Sequence, residues 1–281
     1  MLFKKQICNQ CGTEYEALEK CCPHCGQQNN NLTKHAVGNG VIATPFIYEI
    51  LSMILGILGV SFVSTLFVLA ALSFEGRPLD TLSSDYNNIE LYLSLYSGYF
   101  LIVFGFIFII VKNWHAFSIK LKKSMPYIWG FLLGVVIILS QFLYNLLLQG
   151  LKVEIQPNIN EEILDKGILI FPISSIIVFG IIGPICEELT FRYGMFSFLT
   201  RINRVLAYAL TILVFALLHM GFSYLENGNI DSFLNELLNL PFYLISGAIL
   251  TFAYDKFGIQ SSALAHIVSN TFAIIAVLIG I

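Results

Sequence analysis

Glu187, His219, His266 and Asn270 are residues of the types that hydrolyse an amide, and all four lie in apolar sequence. They fall in three stretches: GPICEELTFRYG (Gly183–Gly194), FALLH (Phe215–His219) and HIVSN (His266–Asn270). An ionised group at mid-bilayer costs about 2.5–3.5 kcal/mol on insertion scales, so such groups are rare there and mark function by default. A carboxylate such as Glu187 can take a proton from water. A histidine can orient that water or bind a metal. Histidine and asparagine donors can stabilise the oxyanion of a tetrahedral intermediate. Glu188 and Arg192 stand at i and i+4 with the glutamate first, on one helical face, which suits an ion pair. Glu187 points about 100° away from that face. One glutamate is thereby neutralised locally and the other is free to face something else. The chain has neither a GxSxG elbow nor an HExxH pair, which argues against those hydrolase classes. Cys186 adjoins Glu187, but no local feature marks it as activated, and it reads as a small packing residue.

The other chemistry-bearing group is at the N-terminus. Cys8-x2-Cys11 and Cys22-x2-Cys25 are two knuckles, each followed by a glycine. Four thiolates in that pattern suit a tetrahedral structural zinc, and Gly12 and Gly26 permit the tight turns. Residues 1–30 hold no hydrophobic core, so the metal must supply their folding energy. The segment resembles a zinc ribbon. Cys21 is the spare thiol; either it or His24 could replace a ligand, but the spacing favours Cys22. A closed four-cysteine site keeps no open coordination position, so the ribbon is expected to dock a protein partner or regulate. Reduced thiols suit the cytoplasmic side.

The elements that must position these groups follow from composition. The chain has 281 residues, 57% hydrophobic and only 12% charged, with a mean hydropathy of +0.77. That is the composition of an all-α polytopic membrane protein, since lipid cannot satisfy open backbone groups. Seven apolar stretches are long enough to span: 46–74, 90–111, 126–149, 168–187, 204–222, 235–254 and 260–280. An eighth hidden by a misplaced boundary would change only the side of the C-terminus. The expected organisation is a zinc ribbon over 1–30, a linker over 31–44 and a transmembrane domain over 45–281. No cleavable signal peptide is seen, and no basic patch suggests nucleic acid.

Charge sets the orientation. With the N-terminus cytoplasmic, the inner segments hold Lys4, Lys5, Lys20, Lys34, Lys112, Lys120, Lys122, Lys123, Arg201, Arg204 and Lys256. The outer loops hold only Arg77, Lys152 and Lys166. This bias predicts an integral membrane protein with its N-terminus inside; the membrane is expected to be a bacterial plasma membrane. Height then predicts convergence. Glu187 lies 16 residues before Asn203 and His219 lies 16 after it, which puts both about 24 Å above the tip of an antiparallel hairpin. His266 is 10 residues beyond Lys256, about 15 Å from that cytoplasmic edge; the levels agree if the hairpin projects somewhat into the cytoplasm, and the pocket is then expected in the inner half of the membrane, near its cytoplasmic side. His266 and Asn270 share a helical face. The Gly183-Pro184 step should loosen or bend the fourth span just before the acidic pair. Gln141, Asn145 and Gln149 form one stripe on the third span and are expected to bond between helices in preference to lining a cavity. His35 and His115 fall in polar connections and need no function.

The motifs EELTFR, FALLH and HIVSN, in this order, resemble the CAAX prenyl protease and bacteriocin-processing family (CPBP, or Abi-like) of intramembrane proteases, whose signatures are EExxxR, FxxxH and HxxxN. The resemblance covers residues 126–281. It implies that Glu187 activates the attacking water with His219, that His266 and Asn270 form the oxyanion pocket, and that Glu188 and Arg192 hold the site together. It implies an endopeptidase acting on a peptide or membrane-protein substrate within the bilayer. Members are described as metalloproteases, while a metal-free glutamate mechanism is also argued, so a catalytic divalent metal stays open beside the structural zinc. The family is drawn with eight helices against the seven counted here. The competing expectation is a non-proteolytic scaffold or self-immunity protein that uses the same polar pocket for binding. A proton-coupled transporter is disfavoured, because no paired broken helices or repeat symmetry are visible.

Overall fold

The computed structural model describes residues 5–16, 19, 21–29, 40–75 and 89–280. Residues 31–39 of the expected linker lie outside the described residues, as do Lys4, Lys20, Lys34, His35 and Arg77. The N-terminal module is a two-stranded antiparallel ribbon of β1 (Lys5–Ile7) and β2 (Glu14–Glu16), with Gln6 opposite Tyr15. Each CxxC turn closes the same way: Gly12 N–H donates to Cys8 O and Gly26 N–H to Cys22 O, both at 2.9 Å. Both glycines adopt positive φ, 72° and 73°, which L-residues rarely tolerate.

The rest is helical. The long elements are α1 (Phe46–Glu75), α2 (Ile89–Lys112), α4 (Met125–Gly150), α9 (Ile230–Phe257) and α10 (Ile259–Ile279). A short α3 (Trp114–Leu121) leaves α2 at 90°. α5 (Ile159–Ile170) opens on a capping box, with Asn158 and Glu161 each accepting from the other's backbone N–H. α6 is the continuous segment Pro172–Leu199, α7 spans Arg204–Leu217, and α8 is one turn, Ser223–Glu226.

Among the described residues, five helices (α1, α4, α6, α9 and α10) are long and apolar enough to cross a membrane, or six if the bent α2–α3 pair is one span. Seven apolar stretches were expected. The differences have local causes. The expected stretch 90–111 is helical within α2, which ends where the Asn113 side chain bonds back to Ile109 O and the chain turns into α3. The stretch 204–222 stays helical only to Leu217, because consecutive turns at Leu218–Met220 take over its last carbonyls.

α6 carries the acidic motif and is the least regular helix. It widens into π-helical turns over Val178–Ile182 and Leu189–Phe196, on either side of an α-helical Gly183–Glu188. Pro184 has no N–H to give the preceding turn, so the ladder slips before it. The expected loosening at Gly183-Pro184 therefore takes the form of a π turn. Side chains occupy the loosened carbonyls: Ser52 Oγ donates to Leu189 O at 2.8 Å and Ser197 Oγ to Arg192 O at 3.3 Å. α1 can approach this closely because residue 194 is glycine; a Cβ there would stand 2.9 Å from Met53 N. Gly130 and Gly134 likewise let α4 lie against Ser261 and Ala265 of α10, as small residues do between membrane helices.

The α6–α7 hairpin turns where Asn203 caps α7 by accepting from Leu206 N–H. Arg201, in that turn, is buried. Its Nε and Nη2 donate to the two oxygens of Glu49 at 2.8 and 2.9 Å, and Nη2 also donates to Thr44 O. Glu19 of the cysteine module stands 3.9 Å from the same guanidinium and accepts from Phe46 N–H. The hairpin tip, the start of α1 and the cysteine module thus meet at one end of the molecule.

Candidate functional site

Two clusters gather the residues singled out by sequence. In the module, Cys8, Cys11, Cys22 and Cys25 bring their sulfurs within 4.8 Å of one another. Cys21 stands outside, paired through its backbone with Gln28, and His24 is not part of the group. Hydrogen bonds from Thr13, side chain first, pull the Cys11 thiol down to about 5, while burial and the neighbouring cysteines push Cys25 up to about 12. The cluster is consistent with a zinc ribbon and is able to hold a metal ion.

The second cluster lies between α6, α7 and α10. Glu187 Oε2 is 3.9 Å from His219 Nε2 and 3.8 Å from His266 Nε2. These separations are too long for direct hydrogen bonds and leave room for a small bridging group. The equal heights read from the hairpin count are therefore reproduced. The far side of each ring fixes its tautomer. His219 Nδ1 is 2.7 Å from Phe215 O, an acceptor only, so Nδ1 carries the proton. His266 Nδ1 is 2.9 Å from Glu188 Oε1 and donates to it. Both Nε2 atoms thus face Glu187. Glu187 Oε2 is itself a buried oxygen without a hydrogen-bond partner.

Glu188 and Arg192 pair at 3.0 Å, with both side chains fully buried. Arg192 Nη2 also donates to Gly247 O, and its guanidinium lies 4.4 Å over the Phe215 ring. The pair thus extends into a chain, Arg192–Glu188–His266, that locks the imidazole of the neighbouring helix. Asn270 lies on the same wall one turn beyond His266, and its Nδ2 donates to Phe179 O at 3.3 Å, on the π turn of α6.

A cavity of about 260 Å³ contains Glu187, His219, His266 and Asn270. The structure adds residues that no sequence motif marked. Tyr243 of α9 stacks on His219 at 4.6 Å, and its hydroxyl accepts from Asn158 Nδ2 at 2.8 Å. Ser246 is buried in the cavity wall with no hydrogen-bond partner. Glu161 and Asp165 of α5 line the cavity as well, and burial raises both carboxyls. Gln141 lines it too, contrary to the expected interhelical role, whereas Asn145 and Gln149 are exposed and not on its wall. The stripe fails to act as one because α4 turns only Gln141 toward α6 and α10. Cys186 is buried, as a packing residue would be.

Neutral in these tautomers, the two imidazoles and Glu187 present three acceptors to one small space. That donor chemistry suits a water or a cation. As a metal shell the set is wide. Bonds of 2.0–2.1 Å in tetrahedral geometry put ligand atoms about 3.4 Å apart. Here the separations are 3.8 and 3.9 Å, and among the described residues only the four cysteines close to mutual metal-ligand spacing.

Comparison with known proteins agrees with the motifs. Residues 159–272 match the family model described as type II CAAX prenyl endopeptidase Rce1-like. The match is narrower than the 126–281 expected; it begins with α5 and takes in all three motifs. No curated protein and no solved structure gives a match.

Proposed function

We propose, for a chain whose residues 159–272 form a domain of the Rce1-like type II CAAX prenyl endopeptidase (CPBP) family, that it hydrolyses a peptide bond inside the membrane with a water held between Glu187 and His219. The observation that carries this reading is the partnerless Glu187 Oε2 set opposite two imidazole Nε2 atoms. A carboxylate kept from hydrogen bonds at 3.8–3.9 Å from two ring nitrogens costs stability and serves no packing purpose.

The water donates one hydrogen to His219 Nε2 and the other to Glu187. Its oxygen attacks the scissile carbonyl carbon as Glu187 takes the proton. The developing oxyanion forms beside the Asn270 amide and the His266 ring, which Glu188 holds through Nδ1. Glu187 passes its proton to the amide nitrogen, the C–N bond breaks, and an acid and an amine leave. Glu188 and Arg192 act through His266 as positioning residues. Tyr243, by stacking, holds the plane of His219. The scissile bond sits at the level of Glu187, about 18 Å from the hairpin end of α6 and about 22 Å from its other end. With the cysteine module cytoplasmic and holding a structural zinc, cleavage falls in the inner half of the bilayer.

The test is terminal proteomics on membranes from cells carrying the parent, Glu187→Ala or His219→Ala, followed by purified cleavage of any peptide found. New termini should vanish in both variants. A folded Glu187→Ala protein that cuts the same peptide at the parental rate sinks the proposal.

A further inference from the structure

The cavity runs one way only. Along α10 its wall starts at His266 and passes Ala273 to Val277, about 16 Å farther from the cysteine-module end. Along α6 it runs back from Glu187 to Phe179, again away from the hairpin tip. In the opposite direction the way is closed: Arg192, Tyr193 and Phe196 of α6 are fully buried below Glu187, together with Tyr254. The catalytic level is therefore sealed on the module side and open toward the other end of the bundle.

Charge says which end is which. Around the module end stand Lys112, Lys120, Lys122, Lys123, Arg201, Arg204 and Lys256; Gln260 Nε2 bonds Lys120 O and Gly40 N–H bonds Asp255 O, which ties these loops together. At the other end the described loops carry only Lys152 and Lys166 as cations, amid Glu154, Glu161, Glu162, Asp165 and Asp231. Basic loops stay cytoplasmic, and free thiols suit the same compartment.

We infer that Glu187 is reached from the extracytoplasmic face, so the substrate is a polypeptide segment exposed on that face, threaded past α5 toward the inner half of the bilayer. The substrate class rests on the proteolytic reading; the access route does not, and the test separates them.

The experiment counts thiols labelled by a membrane-impermeant cationic methanethiosulfonate in the full chain. Ala273→Cys, on the cavity wall, and Ser124→Cys, on the exposed loop beside Lys122 and Lys123, are each compared with the parent in right-side-out and inside-out vesicles. Expected is one additional label on Ala273→Cys in right-side-out vesicles and none in inside-out ones, with the reverse for Ser124→Cys. Labelling of Ala273→Cys from the face that labels Ser124→Cys, or from neither face, overturns the inference, as does labelling of Ser124→Cys from outside. Where Ala273→Cys misassembles, Ser269→Cys on the same wall replaces it. If the labelling is as expected but no cleavage depends on Glu187, the access route stands and the protease reading falls.

Discussion

Glu187 and Glu188 are adjacent and identical in type, yet the structure predicts opposite consequences for Glu187→Gln and Glu188→Gln. Glu188 is fully buried, 3.0 Å from Arg192 and 2.9 Å from His266. Its amide substitute keeps the shape and loses the charge, which strands a fully buried guanidinium. Breaking a buried pair from one side costs about 3–5 kcal/mol. By the behaviour of soluble domains of 150–250 residues that corresponds to a fall in Tm of about 6–20 °C. Glu187 has no hydrogen bond to lose, and its side chain is 24% exposed to the cavity. Glu187→Gln should therefore shift stability by no more than about 1 kcal/mol. Activity should fall about 10²–10⁴-fold, the range for removing a general base. The assay pairs thermal unfolding followed by circular dichroism in nanodiscs with cleavage of a peptide found by terminal proteomics. Equal destabilisation by the two variants would refute the division of labour. So would a Glu188→Gln protein that melts and cleaves like the parent.

Four further outcomes are expected. Purified protein should carry one zinc per chain by elemental analysis, lost in Cys22→Ser but kept in Cys21→Ser and His219→Ala; loss in His219→Ala would place the metal in the membrane site. Gly194→Ala pushes a methyl to 2.9 Å from the α1 backbone at Met53 and should cost about 1–3 kcal/mol in thermal unfolding. Arg201→Gln strands buried Glu49 and should cost about 3–5 kcal/mol, whereas Glu19→Gln, whose partner is 3.9 Å away, should cost about 1 kcal/mol or less by the same measurement. Burial raises the Glu161 carboxyl above its unfolded value. Its contribution is then full below the usual carboxylate range and is lost as pH rises through the raised value, so Glu161→Gln should flatten the pH dependence of Tm in that window.

What could be read from sequence divides along a physical line. The meeting of Glu187 with His219 follows from equal chain lengths either side of Asn203, a local property of one hairpin. The cysteine cluster follows from spacing within 25 residues. Contacts set by the rotation of distant helices were not legible. Tyr243 stacks on His219 because of how α9 turns, and no motif marks that phase. Glu188 grips His266 across 78 residues, so a pair that local spacing assigned to Arg192 alone has a third member. Of the expected spans, 204–222 is cut short, because the helix stops after Leu217 although the apolar run continues. The direction of the cavity depends on which side of Glu187 packs solidly, and composition does not report packing.

The exposed chemistry of Glu187 follows from how the chain treats its other buried carboxylates. Glu49 takes two donors from Arg201, Asp255 accepts from Arg204 and Tyr208, Glu236 accepts from Gly221 N–H, and Glu188 holds Arg192 and His266. Each has at least one oxygen bonded, as the cost of burying charge demands, although Glu188 Oε2 and Asp255 Oδ1 have no hydrogen-bond partner. The same sequence supplies Glu187 with no donor and sets it 3.8 and 3.9 Å from two ring nitrogens whose tautomers are fixed from behind by Phe215 O and Glu188. A donor within reach would have stabilised the fold and ended the basicity. Among these described carboxylates Glu187 is the one with no hydrogen bond at all, and under the proposed mechanism the gap in front of it is where the nucleophile stands.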